Sequence, residues 1–490
     1  MTAVYKNPKI QLGGLILLGF VLRLLNLGRE SLWLDEAISY LAARLPLSQI
    51  ANNTVQSSHP PLYYFLLHFW LELVPDTDTA VKLISVLFGI LLIPATYLLC
   101  QKLFSTRTIS LTAAALTAVS PFHILYSHEL RMYTQLMFLV VVGTLVYWQA
   151  RQKKSAGWWV LFGAIFLLAV YTHLFAFLAL AGIGLYALLD LRQNRSAFWG
   201  TAVTILLISL CFIPWLQLML ADVNPELGSL RPLQSAEVLN LFKLLTAPVF
   251  LLFGMSSSLW YSGLILFIFL AYIIIFVMEL RKLGRSQIPD GLKLSLLIIV
   301  CVLGLPLLVY LIRPFFLPER TLAAAAPFLI ILLGWGMTRR QSPLPYLTGI
   351  ALLLMLVGTI NYHVGPLVKP PYRAATAYVA DHGTPGETVL HTSDGSYLPA
   401  LRYAPQLTQG VLAGDPDPRK PEAVFNALGG EIWTLDETVA QSNGRFWVIV
   451  ALEHSIEWQR AQYDTIAAQY SLLEEHEIDD IGIFLFEQAD

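Results

Sequence analysis

Over residues 1–361 the apolar positions follow neither a strand period nor an amphipathic helical one. They run in blocks, with charged residues concentrated in the gaps between them. A helix that crosses a bilayer needs about 20 mostly apolar residues. Blocks of that kind lie near 10–27, 80–100, 108–126, 133–150, 157–172, 174–190, 199–219, 259–279, 293–312, 321–337 and 344–361. They predict a polytopic α-helical membrane protein of about eleven transmembrane helices, two of which nearly abut at "YTH". No signal-peptide cleavage pattern follows the first block, which is expected to stay as an anchor.

The gaps differ in charge. One set carries Lys6 and Lys9, Lys102 and Arg107, "RQKK" at 151–154, Arg192 and Arg195, Arg281, Lys282 and Arg285, then Arg339 and Arg340. The other set carries few cations: Arg29, Arg44, Arg131, Arg231, Arg313 and Arg320. Because Lys and Arg concentrate in cytoplasmic loops, the first set and the N-terminus are expected inside the inner (plasma) membrane. An odd number of spans then puts the C-terminus outside.

Two outer connections are too long to be turns. Residues 28–79 contain "SLWLDEAISYLAARL" and "HPPLYYFLLHFWLEL", which read as amphipathic or interfacial helices, the second with aromatic residues suited to the headgroup region. The other covers about 220–258. From residue 362 the pattern changes to mixed and charged. "ETVLHT", "RFWVIVAL" and "IGIFLFE" read as strands, and "YRAATAYVADH" and "SIEWQRAQYDTIAAQY" as helices. A transmembrane domain over 1–361 and a small extracytoplasmic α/β domain over 362–490 are expected.

Composition agrees with lipid as the solvent. Of 490 residues only 13% are charged, against about 25% in soluble domains. A formal net charge of −2 offers no basic surface for a nucleic acid. Cys100, Cys211 and Cys301 sit inside apolar blocks, without metal-type spacing or a disulfide framework.

Against this background the ionisable residues of the outer loops stand out. Asp35 and Glu36 are adjacent just past the first block. They suit a helix cap, or a carboxylate base, since a carboxyl with an ordinary pKa of about 4 is ionised at pH 7. His59 precedes two prolines that end one helix and suit the first turn of the next. "YSHELRMYTQ" crowds His128, Glu129, Arg131 and Tyr133 between two blocks, where Glu129 and Arg131 could simply neutralise each other. "YTHLF" sets His173 at another outer turn, where a core or headgroup-facing histidine is the plain reading. "RPFFLPERTLAAAAPFLIIL" brings Arg313, Glu319 and Arg320 to the outer surface against the charge rule, which suits a grip on phosphate through the planar donor fork. A carboxylate base beside cations is what group transfer from a lipid-linked phosphate requires.

These segments, "WLDEAISY", "HPPLYYFLLHFW", "YSHELRMYTQLMF", "YTHLF" and "ERTLAAAAPFLIIL" in that order, resemble the C-type glycosyltransferases, the group that includes protein O-mannosyltransferases and aminoarabinose transferases. The resemblance covers about residues 10–365, and the chain has "RTL" where the group frequently has Tyr. It implies a polyprenyl-phosphate-linked sugar donor, transfer on the extracytoplasmic side and inversion at the anomeric carbon. By the same resemblance Asp35 is the general base and Glu36 a secondary carboxylate. His59, Arg131 and Arg320 are candidates for the donor phosphate, and His128, Glu129, Tyr133, His173 and Arg313 for further substrate contacts. Asp35 and Glu36 also offer oxygen ligands to Mg²⁺ or Mn²⁺, but no complete ligand set accompanies them and a metal-independent site is expected. The acceptor would be a glycan, a lipid or a protein. Two other readings compete. A transporter or flippase of lipid-linked saccharides would want midplane charges and repeated halves. A non-catalytic assembly protein would use its carboxylates only as a cap.

Overall fold

The computed structural model describes residues 7–56, 59–221, 236–254, 259–284, 287–312, 318–414, 422–451 and 456–488. The helices are α1 Pro8–Leu24, α2 Leu34–Arg44, α3 Leu47–Gln56, α4 Leu62–Leu73, α5 Asp78–Phe104, α6 Arg107–Val119, α7 Pro121–Ser127 and α8 Tyr133–Lys153. Then follow α9 Ala156–Thr172, α10 Ala176–Leu189, α11 Arg195–Ala221, α12 Ala236–Phe253 and α13 Leu259–Lys282. Asp290–Ile312 is one helical span, Glu319–Ala325 a tighter 3₁₀ entry into Ala326–Gly336, and Leu344–Val364 the last long apolar helix.

Among the described residues seven helices are long and apolar enough to cross a membrane, or eight if α6 and α7, bent by 53°, count as one span. Length thus supports eight of the eleven expected spans. Blocks 10–27, 157–172 and 174–190 form helices of 17, 17 and 14 residues, which at about 1.5 Å per residue fall short of a hydrocarbon core of about 30 Å. Leu206, Leu207 and Leu210 of α11 and Phe267, Leu270 and Ile274 of α13 are exposed together. A belt of that kind needs lipid rather than water around it.

Contacts separate the connections into two faces. On one, Arg107 donates to Gln11, Arg151 pairs with both Asp190 and Asp290, and Arg339 pairs with Glu279. These are the cation-rich connections. On the other face the loop after α1 meets the end of the last apolar helix, where Asn26 and Arg29 donate to the His363 carbonyl.

The bend between α6 and α7 shapes this second face. Pro121 has no N–H to continue the α6 ladder, and Ser120 caps the next turn by accepting from His123 N–H. The last carbonyls of α6 then lack helical partners. Arg23, fully buried, donates to the carbonyls of Thr117 and Ala118, and Thr359 Oγ1 donates to that of Val119. Arg23 Nε also holds Ser127 Oγ at 3.1 Å, against Gly89 of α5, where an added Cβ would collide with that hydroxyl.

The first outer connection is not an interfacial pair. α2 is buried on most sides, with Leu34, Ala37, Ile38 and Tyr40 packed against Tyr63, Tyr64 and Leu67 of α4, Leu130 and Met132, and Tyr397 and Leu398. Only α4 keeps an exposed apolar face, at Leu66, Phe69 and Leu73. Of the second long connection, only α12 and the residues beside it are described.

The C-terminal part carries a six-stranded sheet. Its strands are β1 Thr388–His391, β2 Gln409–Leu412, β3 Ile432–Trp433, β4 Arg445–Ala451, β5 Tyr470–Ile478 and β6 Ile481–Gln488, in the order β3-β2-β1-β4-β6-β5. β1 pairs parallel to β2 and β4, with Val389 opposite Gln409 and Trp447, while β6 runs antiparallel to β4 and β5. Helices Tyr372–His382, Asp394–Tyr403, Leu435–Gln441 and Ile456–Ala467 cover it. The helix Asp394–Tyr403, directly after β1, packs its Tyr397 and Leu398 into the same core as α2.

Candidate functional site

Asp35 and Glu36 occupy the first turn of α2, where the helix dipole favours carboxylates. Successive helical residues diverge by about 100°, and the two side chains go to different environments. Asp35 remains partly accessible, its side chain 22% exposed, with Oδ2 2.8 Å from Arg320 Nη2. Glu36 points inward and is fully buried. One oxygen takes Lys369 Nζ at 2.8 Å, the other Leu130 N–H at 2.7 Å. Burial would raise its carboxyl pKa, but Lys369, Lys82 and these hydrogen bonds outweigh burial and hold it below the usual value. Glu36 therefore turns away from the Asp35 carboxylate, its oxygens taken by Lys369 and Leu130.

Arg320 enters on the 3₁₀ turn that opens the Glu319–Gly336 span, with its guanidinium 5.2 Å from the Trp33 ring. That face-on contact of cation and indole steers the fork toward Asp35. Arg131, in the turn between α7 and α8, is buried and donates to the Asp35 carbonyl, Ser39 Oγ and His59 Nε2 at 3.2, 3.1 and 3.2 Å. A guanidinium only donates, so His59 Nε2 accepts and its ring is neutral with the proton on Nδ1. The alternative in which Glu129 and Arg131 neutralise each other is not what forms, because Arg131 turns to α2 and His59.

His173 closes this side. Its ring lies 6.2 Å from that of His59 and 6.0 Å from that of Tyr133, and Tyr133 in turn lies 6.0 Å from the Arg131 guanidinium. His173 Nδ1 accepts from Phe175 N–H, so Nε2 carries the proton, and no protein group among the described residues accepts it. Burial, then Arg131, drives its pKa down to about 3.

His128 is elsewhere. Nε2 donates to the Arg23 carbonyl and Nδ1 accepts from Tyr362 OH, so both nitrogens tie helices together. Burial, then His363 and the nearby lysines, lowers its pKa to about 3. Glu129 is buried with Oε2 lacking any hydrogen bond, and burial, opposed by Lys369 and reinforced by Glu36, raises its carboxyl to about 7. Arg313 lies outside the described residues.

The structure thus brings together Asp35, Arg320, Arg131, His59, His173 and Tyr133, and sends Glu36 and His128 into the protein. Sequence reasoning missed Trp33, Ser39, Lys82 and Lys369. Lys82 offered a signal, since an ionisable residue one turn into an apolar block asks for a partner; its Nζ donates to the Glu30 carbonyl at 2.9 Å. Among the described residues no three His, Cys, Asp or Glu side chains converge as metal ligands. Asp35 pairs with Arg320 and Glu36 with Lys369.

Residues 58–217 match the family described as dolichyl-phosphate-mannose-protein mannosyltransferase. ArnT from Cupriavidus metallidurans in the apo state superposes with a TM-score of 0.61 at 12% identity, covering 96% of this chain and 97% of that one. The same enzyme bound to undecaprenyl phosphate gives 0.57 at 14% identity over 96% and 97% of the two chains. The fold is that of the C-type glycosyltransferases. The archaeal oligosaccharyltransferase AglB from Archaeoglobus fulgidus, in complex with an inhibitory peptide and a dolichol-phosphate, shares it with a TM-score of 0.53 at 12% identity, over 97% of this chain and 74% of that one. A search of curated proteins returns no match. In this C-type fold the family match covers His59, Arg131 and His173, and Asp35 and Arg320 join them only through tertiary contact.

Proposed function

We propose that this chain is a membrane glycosyltransferase that moves a sugar from a polyprenyl-phosphate carrier to an acceptor hydroxyl on the extracytoplasmic face. The observation that carries the proposal is the Asp35–Arg320 ion pair at 2.8 Å beside Arg131 and two neutral histidines. Before donor binds, Asp35 and Arg320 neutralise each other. A donor phosphate entering beside them competes for Arg320 and draws the guanidinium from Asp35, leaving that carboxylate to take a proton. The acceptor oxygen then bonds to the anomeric carbon as the bond from that carbon to the phosphate oxygen breaks. The acceptor proton passes to Asp35, and the phosphate leaves with the bonding electrons. Arg320, Arg131 and the His173 Nε2–H oppose its added charge, where low dielectric strengthens such contacts. A single displacement of this kind inverts the anomeric centre.

Binding of undecaprenyl phosphate by ArnT and of a dolichol-phosphate by AglB supports a lipid-phosphate donor here. The cation-rich face opposite the site supports placing the site outside. The helix Asp394–Tyr403 of the C-terminal part packs Tyr397 and Leu398 against α2, the helix that carries Asp35, which suits a role of this part in receiving the acceptor.

Transfer of a labelled sugar from a defined polyprenyl-phosphate donor by the purified protein tests the reading. A folded D35N variant that still binds donor should lose transfer by about 10²–10⁴-fold, the weight of a general base. Wild-type rates in D35N would refute the role of Asp35. Movement of the carrier across the bilayer without transfer would point to a transporter, and neither activity to an assembly protein.

A further inference from the structure

The segment between the last apolar helix and the sheet is strapped along the loop that leads into α2. Arg29 donates to the Gly365 carbonyl at 2.7 Å, Val368 N–H to Glu30 Oε1 at 2.7 Å, and Ser31 Oγ to the Pro370 carbonyl at 2.8 Å. In the middle of this strap Lys369 turns inward. Its side chain is 5% exposed, with Nζ 2.8 Å from Glu36 Oε2 and 4.0 Å from Glu30 Oε2. Glu36 Oε1 accepts from Leu130 N–H, and the next residue, Arg131, donates to the Asp35 carbonyl. One buried cation therefore joins three pieces of chain: the strap, the first turn of α2, and the turn that carries Arg131.

We infer that Lys369 is a positioning residue for Asp35, a claim that takes the transferase reading as its base. The partners of the Lys369 ammonium are Glu36 and Glu30, not Asp35 or Arg320. By holding Glu36 inward it fixes the rotation of the first turn of α2, and rotation decides where the neighbouring Asp35 points. Without this cation, Lys82 is the one cation among the described residues left acting on Glu36, and Glu129 keeps only Arg320. A buried carboxylate stripped of its partner is costly, and Glu36 escapes the cost by turning toward solvent, which carries Asp35 off Arg320. The strap thereby makes the C-terminal part a condition of catalytic geometry rather than an appendage.

Full-length K369M, K369R, E36Q and the E36Q/K369M double variant test this. K369M should lower kcat by about tenfold or more, since small misplacements of reacting groups carry penalties of that order. KM for the lipid donor should hold within about twofold, because Arg131, Arg320 and His59 remain. K369R should restore most of kcat, and the double variant should unfold at a higher temperature than K369M, because it buries no unpaired charge. Wild-type kcat in K369M, a change confined to KM, or additive thermal effects would overturn the inference. A wild-type protein that transfers no sugar would refute only the transferase reading. The positional claim is then read from maleimide labelling of D35C in a C211S background, Cys100 and Cys301 being buried. A labelling rate altered by K369M supports the claim, and equal rates with and without K369M sink it.

Discussion

At the level of single residues, the Asp35–Arg320 pair sets two opposed demands on one guanidinium. It screens the carboxylate before donor binds and opposes charge on the leaving phosphate afterwards. Substitution R320A should reduce kcat by about 10²–10³-fold, as loss of one charge-stabilising donor does. R320K should recover only part, because a single ammonium cannot span carboxylate and phosphate as the fork does. Steady-state kinetics of the two variants would check this, and an R320A enzyme with unchanged kcat would remove Arg320 from the reaction.

Glu129 gives a prediction in pH. Its native carboxyl is raised from 4.5 to about 7, so between those values the folded protein holds a proton that the unfolded chain has released. Folding stability from this group is full below pH 4.5 and is lost as pH rises through 7. E129Q should flatten the fall in unfolding temperature over that window relative to wild type. Parallel curves for the two proteins would show that Glu129 ionises normally. The site residues themselves were legible as types and in order, because His, Arg and Asp on outer loops of an apolar chain need a reason to be there. Their partners were not. Glu36 beside Asp35 reads as a second acid of the same site until a helix turns it the other way.

Among the elements, the break between α6 and α7 does most to place the site. Pro121 ends one helix, and the freed carbonyls need donors that the apolar chain supplies from two distant helices, as Arg23 and Thr359. Each buried acceptor left unpaired costs about 1–3 kcal/mol. R23M, which keeps the bulk and removes the donors, should lower the unfolding temperature by several degrees and disturb the turn at His128–Arg131. Thermal unfolding in detergent checks the first effect, and no change would mean that lipid or water satisfies those carbonyls. The sequence marks the proline but not the clasp, since nothing local in "VLRLLNLG" tells that Arg23 lies under α6. Elements set by local chemistry were easier to read. Tyr372–His382 matches the helix read from "YRAATAYVADH", and β1, β4 and β6 match three apolar strand runs. Short β2 and β3 and the charged edge strand β5 carry too little apolar signal to be seen without their neighbours.

For the whole molecule, the arrangement is a helical body with its cation-rich connections on one face and the Asp35–Arg320 pair on the other, where the strap and the helix Asp394–Tyr403 pack against the α2 region. Arg402 reaches from the C-terminal part to Asp76 and Tyr40, and Tyr403 OH links Leu32 N–H to Asp78. Ending the chain after Val364 should therefore expose the apolar face of α2, abolish transfer and promote aggregation. Retention of activity by that truncated chain, followed with the same labelled donor, would show that the sheet is dispensable.

Hydropathy alone determined that the chain belongs in a membrane, because blocks of apolar residues leave no other solvent. The spacing of cations alone determined which connections share a face. What tertiary structure decided was direction: which of two adjacent acids meets solvent, which arginine reaches it, and which lysine 333 residues away in sequence neutralises the other. Partition into lipid depends on composition summed along a segment and survives any rearrangement within it. An ion pair depends on position to within an ångström, and only the packed chain fixes that.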